Sequence, residues 1–335
     1  MQVKYDVLGI GNAIMDVIAP VSDDVLVREE ITKASMTLID QERALHLHGA
    51  FKTHGDKLVE DAGGSGANTI AGIAALGVKA AYMGKVANDD LGKRFRESLN
   101  AGGATACPLP YATGAATARC LIAVTPDGER SMSTFLGANV EFGPGDIDAD
   151  IIRASAVTYL EGYLFDTNDQ KAAFVKAAEI AKAAGRQVSL TLSDAFCVDR
   201  HRASFKQLVD NHVDILFANE AEILSLFETD DLTDALSRVT STDTTALITR
   251  SEKGSLVKHG GDVYEIAPIP VDNIVDTTGA GDQYAAGVLA GRALGMSWQD
   301  AGQLGSLCAA EVITHYGARP ETNVQDLVKA GTKQL

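Results

Sequence analysis

The sequence predicts an α/β protein in which a mostly parallel central sheet is crossed by helices and carries a small β-sheet lid. Three observations predict it. Short apolar runs alternate with runs of helical period along most of the 335 residues, the pattern of strands joined by crossover helices. Glycine outnumbers proline 32 to 8, which suits many tight turns between strands and helices rather than a disordered linker. Two stretches break the rhythm: residues 20–49, and residues 117–137 with their Pro126-Asp127-Gly128 turn, read as extended pieces that do not alternate with helices.

Residues 5–11 form the first buried strand on this reading. A helix over 68–76, a strand over 80–86 and a helix over 91–99 follow. Next come a strand at 156–160, a helix at 171–184, a strand at 187–192, a helix at 201–209, a strand at 215–218, a helix at 221–227 and a strand at 245–249. The chain ends in helices over 281–294, 298–316 and 324–330. Residues 1–335 are therefore expected to be one domain with lid segments at about 17–50 and 105–137 inserted in it. Such a lid would cover the carboxyl edge of the large sheet, where open α/β folds bind ligands. No internal repeat or low-complexity tract interrupts the chain.

The formal charge is 29 − 45 = −16, which argues against nucleic acid or an anionic membrane as partner. A chain this acidic that handles phosphate has to concentrate positive potential locally. Cys107, Cys120, Cys197 and Cys308 are scattered with no C-x-x-C pair, as in a cytoplasmic protein with reduced thiols. Asp6 and Asp16 interrupt the apolar N-terminus and no run approaches the length of a membrane span, so neither export nor insertion is expected.

The most informative motif is Asp276-Thr277-Thr278-Gly279-Ala280-Gly281-Asp282. It follows an apolar, β-branched stretch at 269–275 and opens a small-residue helix, so its glycines can turn backbone N–H groups toward one point at the helix N-terminus. That point attracts anions and would stabilise charge on a phosphoryl group in flight. Asp282, in the first turn, could accept a proton from an attacking hydroxyl. The same residues also suit an ordinary capped helix start.

Gly9-Ile10-Gly11-Asn12-Ala13-Ile14-Met15-Asp16 follows the first strand, but Ile14 replaces the third glycine of a dinucleotide fingerprint and no helix pattern follows. Asn12 and Asp16 can instead reach ligand hydroxyls, a carboxylate accepting two hydrogen bonds from a vicinal diol, unless Asp16 merely ends a strand. Gly63-Gly64-Ser65-Gly66-Ala67-Asn68 lets backbone approach a ligand and offers the Asn68 amide, or is a glycine-rich loop with an Asn cap. Asn219 and Glu222, spaced by three, can hold hydrated Mg²⁺ or form a capping box. Thr249-Arg250-Ser251-Glu252-Lys253-Gly254 suits nucleotide phosphates and ribose, or an ordinary hairpin. No P-loop and no histidine metal cluster occurs in the sequence.

In this order, Gly11-Asn12-Ala13…Asp16, Gly63-Gly64-Ser65…Asn68, Asn219…Glu222, Thr249…Gly254 and the Asp276–Asp282 heptapeptide, the chain resembles the ribokinase-like (PfkB) carbohydrate and nucleoside kinases from residue 5 to about 330. The resemblance implies a ribokinase-like three-layer sandwich, ATP and Mg²⁺ as cofactors, and transfer of the γ-phosphate to a primary hydroxyl. It implies Asp282 as base, Gly279, Ala280 and Gly281 as anion hole, and Arg130 as a lid arginine approaching the transferred phosphate, where the residues alone also allow a solvated hairpin charge. Asp16, Asn12, Gly64, Ser65 and Asn68 match substrate-binding positions. Thr249, Arg250, Gly254, Thr278 and Asn219 match the nucleotide side, and Asn219 with Glu222 the motif tied to Mg²⁺. Some relatives place K⁺ beside the segment matching Asp276–Thr278, and both monomers and homodimers occur. Gly11-Asn12-Ala13…Asp16 looks more like adenosine kinases than ribokinases, and Leu192-Ser193-Asp194-Ala195-Phe196 resembles their segment carrying a base-contacting Phe, with Tyr163 as a second ring. The expected activity is thus phosphorylation of adenosine at its 5′-hydroxyl; a sugar kinase for ribose or a ketohexose such as fructose is the alternative, and either ring can equally be core.

Overall fold

The computed structural model describes residues 2–55, 57–107, 111–239 and 243–326. In chain order the first half contains β1 (Tyr5–Ile10), β2 (Ile14–Pro20), α1 (Asp23–Arg28), β3 (Met36–Leu38), α2 (Gln41–His54), β4 (Val59–Gly63), α3 (Ser65–Ala75), β5 (Ala80–Met83), α4 (Asp90–Ala101), β6 (Thr105–Ala106), β7 (Ala118–Val124) and β8 (Arg130–Phe135). The second half adds α5 (Ala149–Arg153), β9 (Ser155–Glu161), α6 (Asn168–Ala183), β10 (Gln187–Thr191), α7 (Ala195–His212), β11 (Ile215–Asn219), α8 (Glu220–Phe227), α9 (Leu232–Val239), β12 (Thr245–Thr249), β13 (Ser255–His259), β14 (Asp262–Ile266), α10 (Ala280–Ala293) and α11 (Trp298–Val312).

One sheet has nine strands in the order β14-β13-β12-β11-β10-β9-β1-β5-β6. It is parallel from β12 to β6, with β13 and β14 added antiparallel at one edge. Both faces are covered, which is why its strands read as nearly continuous apolar runs. On β1, Leu8 and Ile10 join the core under α5 to α9, while Val7 points into the core under α3, α4, α10 and α11. These are the three layers expected.

The second sheet, in the order β3-β8-β7-β2-β4, is the small lid. Alternate residues Val17, Ala19, Leu121 and Ala123 pack a third core against Val25, Leu26, Ala44, Leu47 and Phe51 of α1 and α2. Residues 20–49 are therefore not simply extended: Asp40 caps α2 by accepting from the Arg43 N–H at 2.8 Å, and burial on the lid fixes the helix. The lid strands also begin at Ile14 and include Val59–Gly63, whereas Thr105–Ala106 pairs with β5 in the large sheet. Helix α9 and the β13–β14 hairpin have no counterpart in the sequence reading, and the stretch 269–275 forms no strand. Helices α3 and α7 start earlier than expected, α11 stops at Val312, and of the helix expected at 324–330 only 324–326 lie among the described residues, where they are helical.

All four cysteines are free and buried. Burial pushes each thiol up to about 12. Among the described residues no helix is long and apolar enough to cross a membrane.

Candidate active site

Helix α10 is preceded by its N-cap Gly279, whose φ of 78° is left-handed and whose missing side chain leaves room for Ala318, only 2.6 Å from where a Cβ would stand. The first i→i−4 bond runs from the Gln283 N–H to the Gly279 carbonyl at 2.8 Å, so the N–H groups of Gly281 and Asp282 precede any intrahelical acceptor. The Asp282 carboxylate accepts from Ser65 Oγ at 2.6 Å and from Asn68 Nδ2 at 3.3 Å, both on the first turn of α3. Burial raises its pKa to about 6, and these two donors pull against that rise. A carboxylate poised there is ionised at neutral pH yet basic enough to take a proton.

Asp16 lies on lid strand β2, opposite Asp61 of β4. Burial pushes it up to about 7; Arg319 and then Arg130 pull it down, while Asp61 and Asp282 push it further up. Arg130, on β8, shares the lid face that carries Asp16, because register places Asp16 beside Cys120, Cys120 beside Thr134, and Arg130 at an even spacing from Thr134. From that face Arg130 reaches Thr278 Oγ1 at 2.7 Å and Asp276 at 3.1 Å, so the lid face looks onto the segment that leads into α10. Asp276 also accepts from Thr278 Oγ1 at 2.7 Å and from the Gly317 N–H at 3.1 Å; these bonds and Arg130 outweigh burial and hold it below the usual carboxylate range.

Gly64 adopts φ 90° as N-cap of α3, with its Cβ position blocked by the Asn12 carbonyl. Asn12 is buried, and its N–H donates to Glu161 Oε2 at 2.8 Å. Asn12 and Asp16 from one segment and Gly64, Ser65 and Asn68 from a second are thus brought together beside Asp282.

The two rings are not core. Phe196 is 81% exposed and Tyr163 38%. The Tyr163 N–H donates to Ser193 Oγ at 3.2 Å, which ties its loop to the turn that begins α7 and carries Phe196. Burial of the Tyr163 hydroxyl raises its pKa, as do the carboxylates of Asp194, Asp282 and Glu222.

On the other side, Asn219 caps α8 in a reciprocal box: the Glu222 N–H donates to Asn219 Oδ1 at 2.8 Å, and the Asn219 N–H to Glu222 Oε2 at 3.0 Å. Asn219 Nδ2 also donates to Glu222 Oε1 at 2.6 Å, and burial raises Glu222 to about 7. Thr249 to Gly254 connect antiparallel strands β12 and β13, with the Arg250 N–H donating to the Gly254 carbonyl at 2.8 Å. The hairpin reading describes that backbone, at the carboxyl end of a parallel strand. Among the described residues no cluster of three metal-ligating side chains occurs. One carboxylate and one amide still fit a hydrated Mg²⁺ that takes its remaining ligands from water and phosphate.

Several residues at the site escaped the sequence reading. Glu161, buried, ends β9 and accepts the Asn12 and Gly66 N–H groups; burial raises it to about 8 against those bonds. A lone carboxylate closing an apolar strand was the signal for it. Asn139 accepts the Ala13 N–H at 3.0 Å, and Gln283 Nε2 donates to the carbonyls of Asn68 and Ala318 at 3.1 and 2.8 Å. Arg319, whose Nε donates to Asn68 Oδ1 at 3.4 Å, had no signal in any motif.

Residues 10–324 match the pfkB family carbohydrate kinase profile. A crystal structure of a probable sugar kinase from Rhizobium etli CFN 42 is 45% identical, with a TM-score of 0.89, covering 99% of each chain. That of adenosine kinase from Sinorhizobium meliloti is also 45% identical, with a TM-score of 0.88, covering 98% of this chain and 99% of its own. The probable fructokinase-4 of Arabidopsis thaliana is 29% identical over 80% of this chain and 87% of its own length. The chain belongs to the pfkB family of carbohydrate kinases, ATP-dependent phosphotransferases that act on a hydroxyl group.

Proposed function

We propose that the chain is an adenosine kinase, passing the ATP γ-phosphoryl group to the 5′-hydroxyl of adenosine and yielding ADP and AMP. The observation that carries this reading is the 81% exposure of Phe196 beside a half-exposed Tyr163. A large ring left open to water at the carboxyl edge of an α/β sheet suits a flat apolar ligand better than a sugar. The site-facing side of the lid adds apolar surface: Ile18, Ile122, Met132 and Met36 pair in one row across four strands, and Leu38 lies two residues from Met36. The likeness to the adenosine kinase from Sinorhizobium meliloti supports the same substrate.

In this reading Asp16 grips the ribose diol, with Asn12, Gly64 and Asn68 completing the ribose site. Asp282, aligned by Ser65 and Asn68, takes the 5′-hydroxyl proton as the oxygen attacks. The N–H groups of the Gly279-Ala280-Gly281 turn receive the charge that develops on the phosphoryl oxygens, and Arg130 turns from Asp276 toward them. ATP lies along Thr249–Gly254 and Thr278. Asn219 and Glu222 would hold Mg²⁺, which would supply charge neutralisation, and K⁺ beside Asp276–Thr278 is part of the same reading. The working compartment is the cytoplasm, consistent with four reduced thiols.

The fructokinase relatives favour a second reading, a kinase for ribose or fructose. The test is a coupled ADP assay of kcat/KM for adenosine, D-ribose and D-fructose. Adenosine should lead by orders of magnitude; preference for either sugar overturns the nucleoside reading and leaves the Asp282 chemistry standing.

A further inference from the structure

A guanidinium outside every motif sits where the lid, helix α3 and the anion-hole segment meet. Arg319 follows α11 in the run Gly317-Ala318-Arg319, whose first two members already touch the site: the Gly317 N–H donates to Asp276 at 3.1 Å, and Ala318 packs on Gly279. Arg319 Nε donates to Asn68 Oδ1 at 3.4 Å and Nη1 to Ser98 Oγ at 2.9 Å. Ser98 Oγ donates onward to Asp61 Oδ1 at 3.1 Å, and Asp61 is the cross-strand partner of Asp16. Arg319 Nη2 is buried with no hydrogen-bond partner, as is the hydroxyl of Tyr82, which feels the same cation.

A guanidinium only donates, so it decides which way the Asn68 amide points. With Oδ1 taken by Arg319, Nδ2 is left facing Asp282 Oδ2 at 3.3 Å. A flipped amide would set two donors against each other and present an oxygen to the carboxylate.

We propose that Arg319 is a positioning residue of the phosphoryl-transfer site, setting the Asn68 amide toward Asp282 and holding positive charge against the Asp16–Asp61 pair of the lid. The charged and titratable groups that face Asp16 are Arg319 from the segment after α11, Arg130 from β8, Asp61 from β4, Asp282 from α10 and Cys120 from β7. Without Arg319, one cation remains against two neighbouring carboxylates, and Asp16 keeps its proton to higher pH. The inference rests on the roles given above to Asp16 and Asp282 and deepens them.

The experiment compares wild type with Arg319→Met and Arg319→Lys in the full chain, recording melting temperature, kcat and KM over a pH series with whichever acceptor the wild type uses best. Arg319→Met should lower kcat/KM by about 10- to 100-fold, the worth of a charge-assisted hydrogen bond, and move the acid limb to higher pH. Arg319→Lys should restore the limb, since it restores the charge, but not the full kcat, since a point charge cannot bond Asn68 and Ser98 together in fork geometry. A folded Met variant with the wild-type limb and kcat overturns the proposal; should that variant not fold, a Lys variant with wild-type kcat does so. Loss of melting temperature with an unmoved limb would mark a purely structural arginine and overturn it as well. Failure of the adenosine reading shows in the wild-type acceptor preference, whereas failure here shows in the variant-to-wild-type ratios.

Discussion

The proposed acceptor side and the proposed nucleotide side of this site are built in opposite ways. Around Asp282 the polar side chains are held by residues far along the chain: Ser65 and Asn68 bind Asp282, and Arg319 binds Asn68. Around Asn219 and Arg250 the partners lie within a few residues, Glu222 in one case and Lys253 with Gly254 in the other. The acceptor side therefore exists only in the folded chain, while the nucleotide side is made of local turns and caps that the sheet merely brings into place. Substitutions should accordingly cost most on the acceptor side, and there in chemistry and binding rather than in folding.

The largest effect is expected at Asp282. Asp282→Asn should reduce kcat by about 10²- to 10⁴-fold with acceptor binding nearly intact, the usual worth of a positioned general base. More than half of wild-type turnover would remove Asp282 from the mechanism. Next comes Asp16→Ala, which removes charge-assisted hydrogen bonds worth roughly 1.5–3 kcal/mol and should raise the acceptor KM by about 10- to 150-fold. Equal use of adenosine and 2′-deoxyadenosine by the wild type would show that no diol is gripped.

Phe196→Ala should weaken adenosine by about 1–3 kcal/mol and leave ATP alone, by the stacking worth of a ring under a base. Because the ring is 81% exposed, the melting temperature should hardly move, which separates a binding role from the core-truncation cost of about 3–5 kcal/mol. A large drop in melting temperature would mean that the ring is buried in solution.

The acid limb sharpens the contrast further. Asp282 must be ionised to accept a proton and its pKa is raised to about 6, while that of Asp16 is raised to about 7, so kcat/KM, which reports the free enzyme, should fall as pH drops through 7 and then 6. Stability runs the other way. Both pKa values lie above the ordinary 3.8, so folding favours the protonated forms; that contribution is complete below about 3.8 and is lost as pH rises through 6 to 7. Denaturant midpoints across this range that follow activity rather than oppose it would contradict the assignment. The smallest effect belongs to Asn219→Ala, about 1 kcal/mol of cap energy with a modest rise in the KM for ATP.

How much of this was legible follows from the same contrast. The parallel strands were readable because burial on both faces makes them plain apolar runs, and the heptapeptide because Gly279 must adopt a positive φ and Asp282 must fall in the first turn. Helix α2 was misread although Ala44, Leu47, His48 and Phe51 recur at helical spacing: interspersed polar residues and Gly49 weaken the pattern, and the lid sheet completes it. Arg319, Gln283 and Asn139 carry no local mark at all, since what defines them is a partner more than a hundred positions away. Phe196 was visible only through its resemblance to a nucleoside-kinase segment; its exposure is a fact of the fold.

The four thiols carry a consequence of their own. Each is sheltered and held up to about 12, so alkylating reagents at neutral pH find almost no thiolate until the chain opens. Their distribution makes them four clocks. Cys120 lies in the lid sheet, Cys197 under the turn that carries Phe196, with its Sγ donating to the Gly162 carbonyl at 3.2 Å, Cys107 beside the last strand of the large sheet, and Cys308 deep in α11. Labelling rates read at each sulfur by mass spectrometry would time lid opening and loop opening separately from global unfolding, with no probe added to the native chain.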